Sequence, residues 1–324
     1  MRTVEQIKLM GPKKSDNRRA LNTFCLTILL IVVASVLSGG SFFRLSNFKN
    51  LLFQNAILGV VVLGQLFVIL SGGIDLSLGS MVGLSTVLIV GFQDFGFGLA
   101  FIFTVIIVVI IGTINGCLIT LRRLPAFVVT LGSMLFIFSL SQVISGGSAL
   151  YRGFKGSEIT LFLSAFNKQS FLGIPYPALI WIFALLLTQG VLRATWGRFI
   201  IIFGGNKRAA FFSGIPVNKI GVSVYALAGF FAALGGLLAV ARVSEGSPGA
   251  GDVYLMDSIA AVVIGGASLT GGIGSVAGTF LGVLILGILN NIMNLLGVSP
   301  MLQPAVKGII ILIAVFLNSR EMSE

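Results

Sequence analysis

Apolar and polar stretches alternate along almost the whole chain. Apolar runs at Ala20–Leu37, Asn55–Leu70, Gly79–Phe92, Leu99–Leu121, Ala126–Ile144, Pro177–Leu192 and Val222–Val240 each read as a membrane helix. A spanning helix needs about 20 apolar residues. The segment Asp257–Leu296 is apolar but is cut by Gly265-Gly266 and by Gly271-Gly272-Ile273-Gly274, which fits two helices better than one. A last run follows at Pro304–Leu317. Polar stretches at Ser38–Lys49, Gln93–Gly98, Ser145–Pro175, Arg193–Lys219 and Ala241–Met256 separate the runs. The boundary at Arg122-Arg123-Leu124-Pro125 is sharp, because proline disfavours helix at the residue before it. The pattern predicts an all-α polytopic membrane protein of about ten spans with interrupted helices near its core. A single transmembrane domain over residues 20–318 is then flanked by polar tails at 1–19 and 319–324.

The most informative interruption is Ser71-Gly72-Gly73-Ile74-Asp75-Leu76-Ser77-Leu78-Gly79-Ser80. It lies between Ile57–Leu70 and Met81–Val90, each too short to cross a bilayer comfortably. Glycines, an aspartate and a serine should break the helix here. A break survives in a membrane only where protein or a water-filled cavity satisfies the freed backbone groups. The expectation is a polar kink in the middle of the bundle, with Asp75 and Asp257 as the carboxylates of the apolar region. The pattern also has an echo: Gly72-Gly73-Ile74 precedes Gly79-Ser80 and Gly83, and Gly271-Gly272-Ile273 precedes Gly278-Thr279 and Gly282 at the same spacings. Either the chain carries two parallel copies of one unit, or a glycine-rich chain (42 of 324 residues) matches itself by chance.

Composition fixes the class. Only 10% of residues are charged and 56% are hydrophobic, with a mean hydropathy of +1.07. Soluble domains carry about 25% charged residues. The net charge of +11 suits nucleic acid in principle, but its placement gives a simpler account. Lys13, Lys14, Arg18 and Arg19 precede the first span, and Arg193, Arg198, Lys207, Arg208 and Lys219 share one loop. This is the positive-inside bias of a membrane protein with both termini cytoplasmic. No nucleic-acid partner is expected. Cys25–Leu37 with its basic flank reads as an uncleaved first helix rather than a signal peptide, since no small-residue cleavage site follows. Cys25 and Cys117 lie in apolar runs and read as packing residues.

Several chemistries are missing. Histidine is absent, no phosphate-binding Gly-x-x-x-x-Gly-Lys-Ser/Thr loop exists, and no metal-spaced cluster or nucleophile–base pair is found. A hydrolytic or redox enzyme is not expected, and neither is a bound metal or cofactor. Asn55, Gln65, Asn115, Thr130, Ser133, Gln142, Asn290, Asn291 and Asn294 punctuate the apolar runs. Amides and hydroxyls can both donate and accept toward a neutral polyol. Such residues also glue helices together at about 1 kcal/mol or less each, so both readings stand. The candidate pathway set is Asn55, Gln65, Asp75, Ser77, Asn115, Thr130, Asn290, Asn291 and Asn294.

Within Arg193–Lys219, Phe203-Gly204-Gly205-Asn206-Lys207-Arg208-Ala209-Ala210-Phe211-Phe212-Ser213-Gly214-Ile215-Pro216 reads as a helix of one to two turns. Asn206 can cap it, Ala209 and Ala210 favour it, and Gly214 with Pro216 ends it. Phe211 and Phe212 give this loop an apolar knob, either a docking surface or an interfacial anchor.

At these residues the sequence resembles the membrane subunits of bacterial ATP-driven (ABC) importers for monosaccharides, the ribose-type permeases. Ser71–Ser80, Gly204–Ile215, Asp257–Val298 and Pro125–Gly132 carry the likeness, which runs over roughly Asn47–Val315 and is loose in Ser145–Pro175. The resemblance implies paired permeases, a second copy or a paralogue, over two ATPase subunits that hold the ATP and magnesium. A periplasmic or lipid-anchored sugar-binding protein would deliver the solute, in the bacterial inner membrane. Carried over by position, Gly205, Asn206, Lys207, Ala209, Ala210, Ser213 and Gly214 would form the helix that couples to the ATPase. Arg152, Lys155, Arg242 and Glu245, in the two polar inserts, would face the binding protein. Asp75 and Ser77 would lie beside the pathway. Phe211, Phe212 and Pro216 make the coupling segment bulkier than the resemblance leads one to expect. The competing expectation is a self-sufficient carrier or facilitator for a small polar solute.

Overall fold

The computed structural model describes residues 14–150 and 170–309, with side chains from residue 24 onward. The inserts' Arg152 and Lys155, both tails beyond these limits and the end of the last apolar run lie outside the described residues. The helices are α1 (Lys14–Leu37), α2 (Leu45–Leu70), α3 (Leu78–Gly91), α4 (Phe97–Thr120), α5 (Ala126–Ser145) and α6 (Tyr176–Arg193). They continue with α7 (Thr195–Gly205), α8 (Lys207–Phe212), α9 (Val217–Val243), α10 (Asp252–Ile264) and α11 (Val276–Leu295). Residues 303–309 are helical as well. A two-residue hairpin, β1 (Ser170–Phe171) against β2 (Ile174–Pro175), leads into α6.

α2 and α9 are apolar on every side and form the centre. Every residue of α2 from Asn55 to Leu70 is buried. A helix without a polar face belongs in a core. α4 runs along α9, and its small residues let the two backbones meet: a Cβ on Gly116 would lie 2.8 Å from the Val222 Cα. The opposite face of α4 shows Ile102, Ile106, Ile110 and Ile114, each about half exposed. Their four-residue spacing is one helix stripe. The outward stripe is the apolar one and the inward one carries Thr104, Gly112 and Asn115, the order expected where lipid is the solvent.

The glycine echo has a packing consequence. α10 and the turn Pro248–Gly251 before it lie between α3 and α11. A Cβ on Gly79 would come within 2.9 Å of the Gly251 carbonyl oxygen, and one on Gly83 would run into that of Pro248. On α11 the same-spaced Gly278 and Gly282 receive the backbone of Gly265 and Ala261. Both glycine pairs therefore admit successive parts of one passing strand of chain.

Four expectations need correction. α2 begins at Leu45, not near Asn55. Lys49 and the neighbouring amides look like a loop, yet Leu51 is buried and straight-chain residues continue a helix without strain. The 26 residues of α2 then span about 39 Å at ~1.5 Å per residue. The first break is therefore not a mid-span kink but the end of a full-length helix. The basic loop is mostly helical too. α7 buries Ile200 and Phe203 while Arg198 folds back to the Arg193 carbonyl at 3.0–3.1 Å. The insert at Ala241–Met256 is largely helical at its ends, α9 running to Val243 and α10 starting at Asp252, and Thr86 Oγ1 bonds Ser247 N and O at 3.0 Å, seating its middle along α3. Lys307, in a helical segment, pairs with Asp257 at 2.9 Å.

Packing this close makes a sharp prediction. Gly83→Ala should destabilise the protein by ~1–3 kcal/mol, the cost of overpacking a full site. Gly91→Ala, with nothing within 4 Å, should stay within about 0.5 kcal/mol. Thermal unfolding of the detergent-solubilised protein compares them, and equal midpoints would refute the packing.

Candidate functional site

Three glycine pairs meet at one end of the bundle. Gly72-Gly73 follow α2, Gly204-Gly205 end α7, and Gly271-Gly272 turn the chain between α10 and α11. A Cβ on Gly271 would lie 2.8 Å from the Gly204 carbonyl oxygen and 2.8 Å from Gly72 Cα. One on Gly272 would lie 2.8 Å from Gly205 Cα, and one on Gly204 would collide with the Leu70 carbonyl oxygen. Gly72 (φ +77°) and Gly271 (φ +89°) also sit in the left-handed region that glycine alone enters freely. The Gly272 N–H donates to the Leu70 carbonyl at 2.9 Å, so each helix break satisfies a group freed by the other.

α8 starts two residues beyond Gly205. Asn206 caps it, its Oδ1 accepting from Ala209 N at 2.9 Å. Gly214 (φ +77°) closes it, with Ile215 N donating to Ala210 O at 3.1 Å. Ala210 is buried against the bundle, and Ala209 and Ser213 face outward. Phe211 and Phe212 are 64% and 83% exposed, an apolar knob that nothing in the chain covers among the described residues. Lys207 lies over the Phe203 ring at 5.2 Å.

Behind the first break is a buried polar cluster. Asp75 Oδ1 accepts from Ser77 N (2.8 Å) and Ser77 Oγ (2.6 Å). Asn115 on α4 donates to Ser77 Oγ at 3.1 Å, and Ser133 on α5 donates to Asn115 Oδ1. Thr130 Oγ1 reaches Ala126 O at 2.9 Å and Ile74 O at 3.3 Å. Three of the candidate pathway residues, Asp75, Ser77 and Asn115, are thus joined by hydrogen bonds, and a fourth, Thr130, reaches the Ile74 carbonyl beside them. In front of the break a cavity of about 680 Å³ opens beside α8. Ser71–Gly73, Tyr225, Arg123, Lys207, Arg208 and Phe211 are among its lining.

The other candidates lie elsewhere. Asn291 exchanges amide bonds with Asn47 at 2.8 and 3.0 Å, and Asn294 accepts from Gln303 at 2.9 Å, both at the far end of α11. Asn290 is half-buried, with its Oδ1 unpartnered among the described residues. Asn55 is buried against Gly287, and Gln65 is wholly buried with neither amide atom bonded among the described residues. Arg242 is exposed and Glu245 half-buried where α9 gives way to the segment along α3. Residue-by-residue reading missed Gly204, Gly271 and Gly272 as a meeting point. The repeated Gly-Gly pairs were the available signal.

A membrane bundle with interrupted helices is how many transporters are built. Residues 47–315 match the family described as branched-chain amino acid transport system / permease component, and the chain belongs to it. It is 42% identical over 304 residues to the ribose import permease protein of Bacillus subtilis, covering 93% of each chain. It is 39% identical over 305 residues to the ribose import permease protein of Escherichia coli, covering 91% of this chain and 92% of that one. With the xylose transport system permease protein of Escherichia coli the identity is 31% over 383 residues, covering 97% of each. No solved structure matches.

Ser77 is the hub of the polar cluster. Ser77→Ala should cost ~1–3 kcal/mol, because the Asp75 carboxyl and the Asn115 amide each lose a buried partner. Ser223→Ala, whose hydroxyl bonds Ile220 O on its own helix, should be nearly neutral. A Ser77/Asn115 double-mutant cycle checks the link, and strict additivity would count against it.

Proposed function

We propose that this chain is the membrane-spanning subunit of an ATP-driven importer and forms the path for a neutral monosaccharide, ribose or a related sugar. The observation that carries this reading is α8: a short capped helix at the end of the bundle, with Phe211 and Phe212 bare. An apolar knob of this kind suits a cleft on a partner. The names of the ribose and xylose relatives support the sugar, and the absence of a phosphate-binding loop supports a separate ATPase. That partner holds the ATP and magnesium.

On this reading Gly205, Asn206, Lys207, Ala209, Ala210, Ser213 and Gly214 form the coupling segment. Two permeases, identical or paralogous, stand over two ATPases in the inner membrane. Both termini are cytoplasmic, and the six long apolar helices join α1, α3, α10 and the helix at residues 303–309 in about ten spans. The bridge between Leu150 and Gly246 joins the two outer inserts, which supports one docking face for the sugar-binding protein around Arg152, Lys155, Arg242 and Glu245. The polar residues Asn55, Gln65, Asp75, Ser77, Asn115, Thr130, Asn290, Asn291 and Asn294 border the sugar's route. ATP closure of the motor shifts the coupling helices and opens the bundle outward, and hydrolysis resets it. Each step draws on contacts that differ between two states.

Proteoliposomes holding this chain, its ATPase and its binding protein should accumulate sugar only with ATP inside the motor's compartment. Ala209→Glu and Ser213→Trp, on the exposed side of α8, should abolish that uptake while insertion is unchanged. Uphill uptake by the chain alone would favour the self-sufficient carrier.

A further inference from the structure

We infer that the meeting of Gly72, Gly204, Gly205, Gly271 and Gly272 is the joint through which displacement of α8 reaches both helix breaks at once. The inference rests on the coupling role proposed for α8. Gly205 is separated from α8 only by its capping Asn206, so the last turn of α7 moves when the start of α8 moves. That turn touches the first break through Leu70 and the second through Gly271 and Gly272, backbone against backbone. The two breaks also hold each other through the bond from Gly272 N to Leu70 O.

The absence of side chains at this contact matters mechanically. A side chain between two elements can change rotamer and absorb a shift, whereas two touching backbones have no such slack. Close-packed interiors transmit strain rather than dissipate it. The other end of α8 leads through Gly214–Pro216 into α9, the central helix. The outward segment is thus tied to the core at one end and to both breaks at the other. These glycines are positioning residues: none need touch the solute, but their contact sets where the breaks stand. Beyond them Asp75, Ser77, Asn115 and Thr130 would be re-aimed whenever the first break shifts.

A helical glycine outside the joint supplies the control. A Cβ at Gly204 would strike the Leu70 carbonyl, whereas one at Gly190 on α6 would meet nothing outside its own helix within 4 Å among the described residues. Both variants, Gly204→Ala and Gly190→Ala, are assembled with the ATPase and binding protein in proteoliposomes, and sugar moved per ATP hydrolysed is measured. Gly204→Ala should lower that ratio by about tenfold, within the range that couplings of this kind span, while hydrolysis continues. Gly190→Ala should keep it within about twofold. Equal ratios for Gly204→Ala and the parent overturn the joint. A parent complex that fails to move sugar with ATP overturns the coupling reading instead.

A measurement without glycine variants decides the matter if Gly204→Ala does not assemble. In a Cys25→Ser/Cys117→Ser background of the assembled complex with its ATPase, spin labels are placed at Arg208→Cys on α8, at Ile273→Cys beside the second break, and at Val36→Cys at the opposite end. Adding ATP should change the Arg208–Val36 distance and leave Arg208–Ile273 unchanged. A comparable change in both means that α8 moves free of the break, and the joint is refuted. No change in either refutes motion of α8 itself.

Discussion

Backbone packed on backbone is the constraint from which the rest of this structure follows. Between membrane helices there is no hydrophobic gain from association, because lipid tails are as apolar as the side chains they would leave. Cohesion comes from close approach and from satisfied polar groups, and glycine gives the closest approach. α4 meets α9, α3 meets the Pro248–Gly251 turn, and α10 meets α11 in this way. At the end carrying α8 the constraint is strictest, because two chain reversals are stacked there. Each leaves main-chain groups without helical partners. Pairing one reversal with the other, Leu70 O with Gly272 N, removes part of that cost from both.

The buried polar groups divide by the same logic. Asp75 sits at the head of α3, where the helix dipole favours a carboxylate, and Ser77 supplies two donors. Asn115 and Ser133 extend the bonds to α4 and α5, so the break is held from the side as well as from below. Asp257 finds Lys307. Gln65 and the Trp181 indole N–H remain buried without partners among the described residues. An unmet buried group costs ~1–3 kcal/mol. Trp181 is pressed onto Gly59 of α2, so the seam between α2 and α6 is tight and polar at once.

The sequence already shows why the architecture is helical and where it breaks. Apolar run lengths give the helices, Pro125 marks the start of α5, and Gly72-Gly73 and Gly271-Gly272 mark the reversals. α8 is legible from its cap, its alanines and Gly214, because all of those signals are local. The misses are the non-local ones. Lys49 and its amides resemble a loop until the fold covers Leu51. α7 is hidden in a basic stretch because its apolar face becomes meaningful only against α2 and α9. The pathway residues scatter for the same reason: spacing along a helix says which face an amide occupies, not which neighbour it meets. Asp75, Ser77, Asn115 and Thr130 converge only because α4 and α5 both pass the first break.

On the proposed reading the chain receives work from its ATPase through a mechanical contact, and such a contact is useful only if little of the motion is lost on the way. α8 has six residues, too short for a stable isolated helix, so its stiffness must come from its ends. Asn206 and Gly214 fix the helix itself. The glycine contact fixes the chain before it, and the entry of Pro216 into α9 fixes the chain after it. The bare Phe211 and Phe212 then stand on a segment anchored on both sides, where a partner that grips the knob pulls on the bundle rather than on a loop. The same reading accounts for the small residues concentrated here: any side chain at Gly204 or Gly271 would separate the surfaces whose contact is proposed to carry the load.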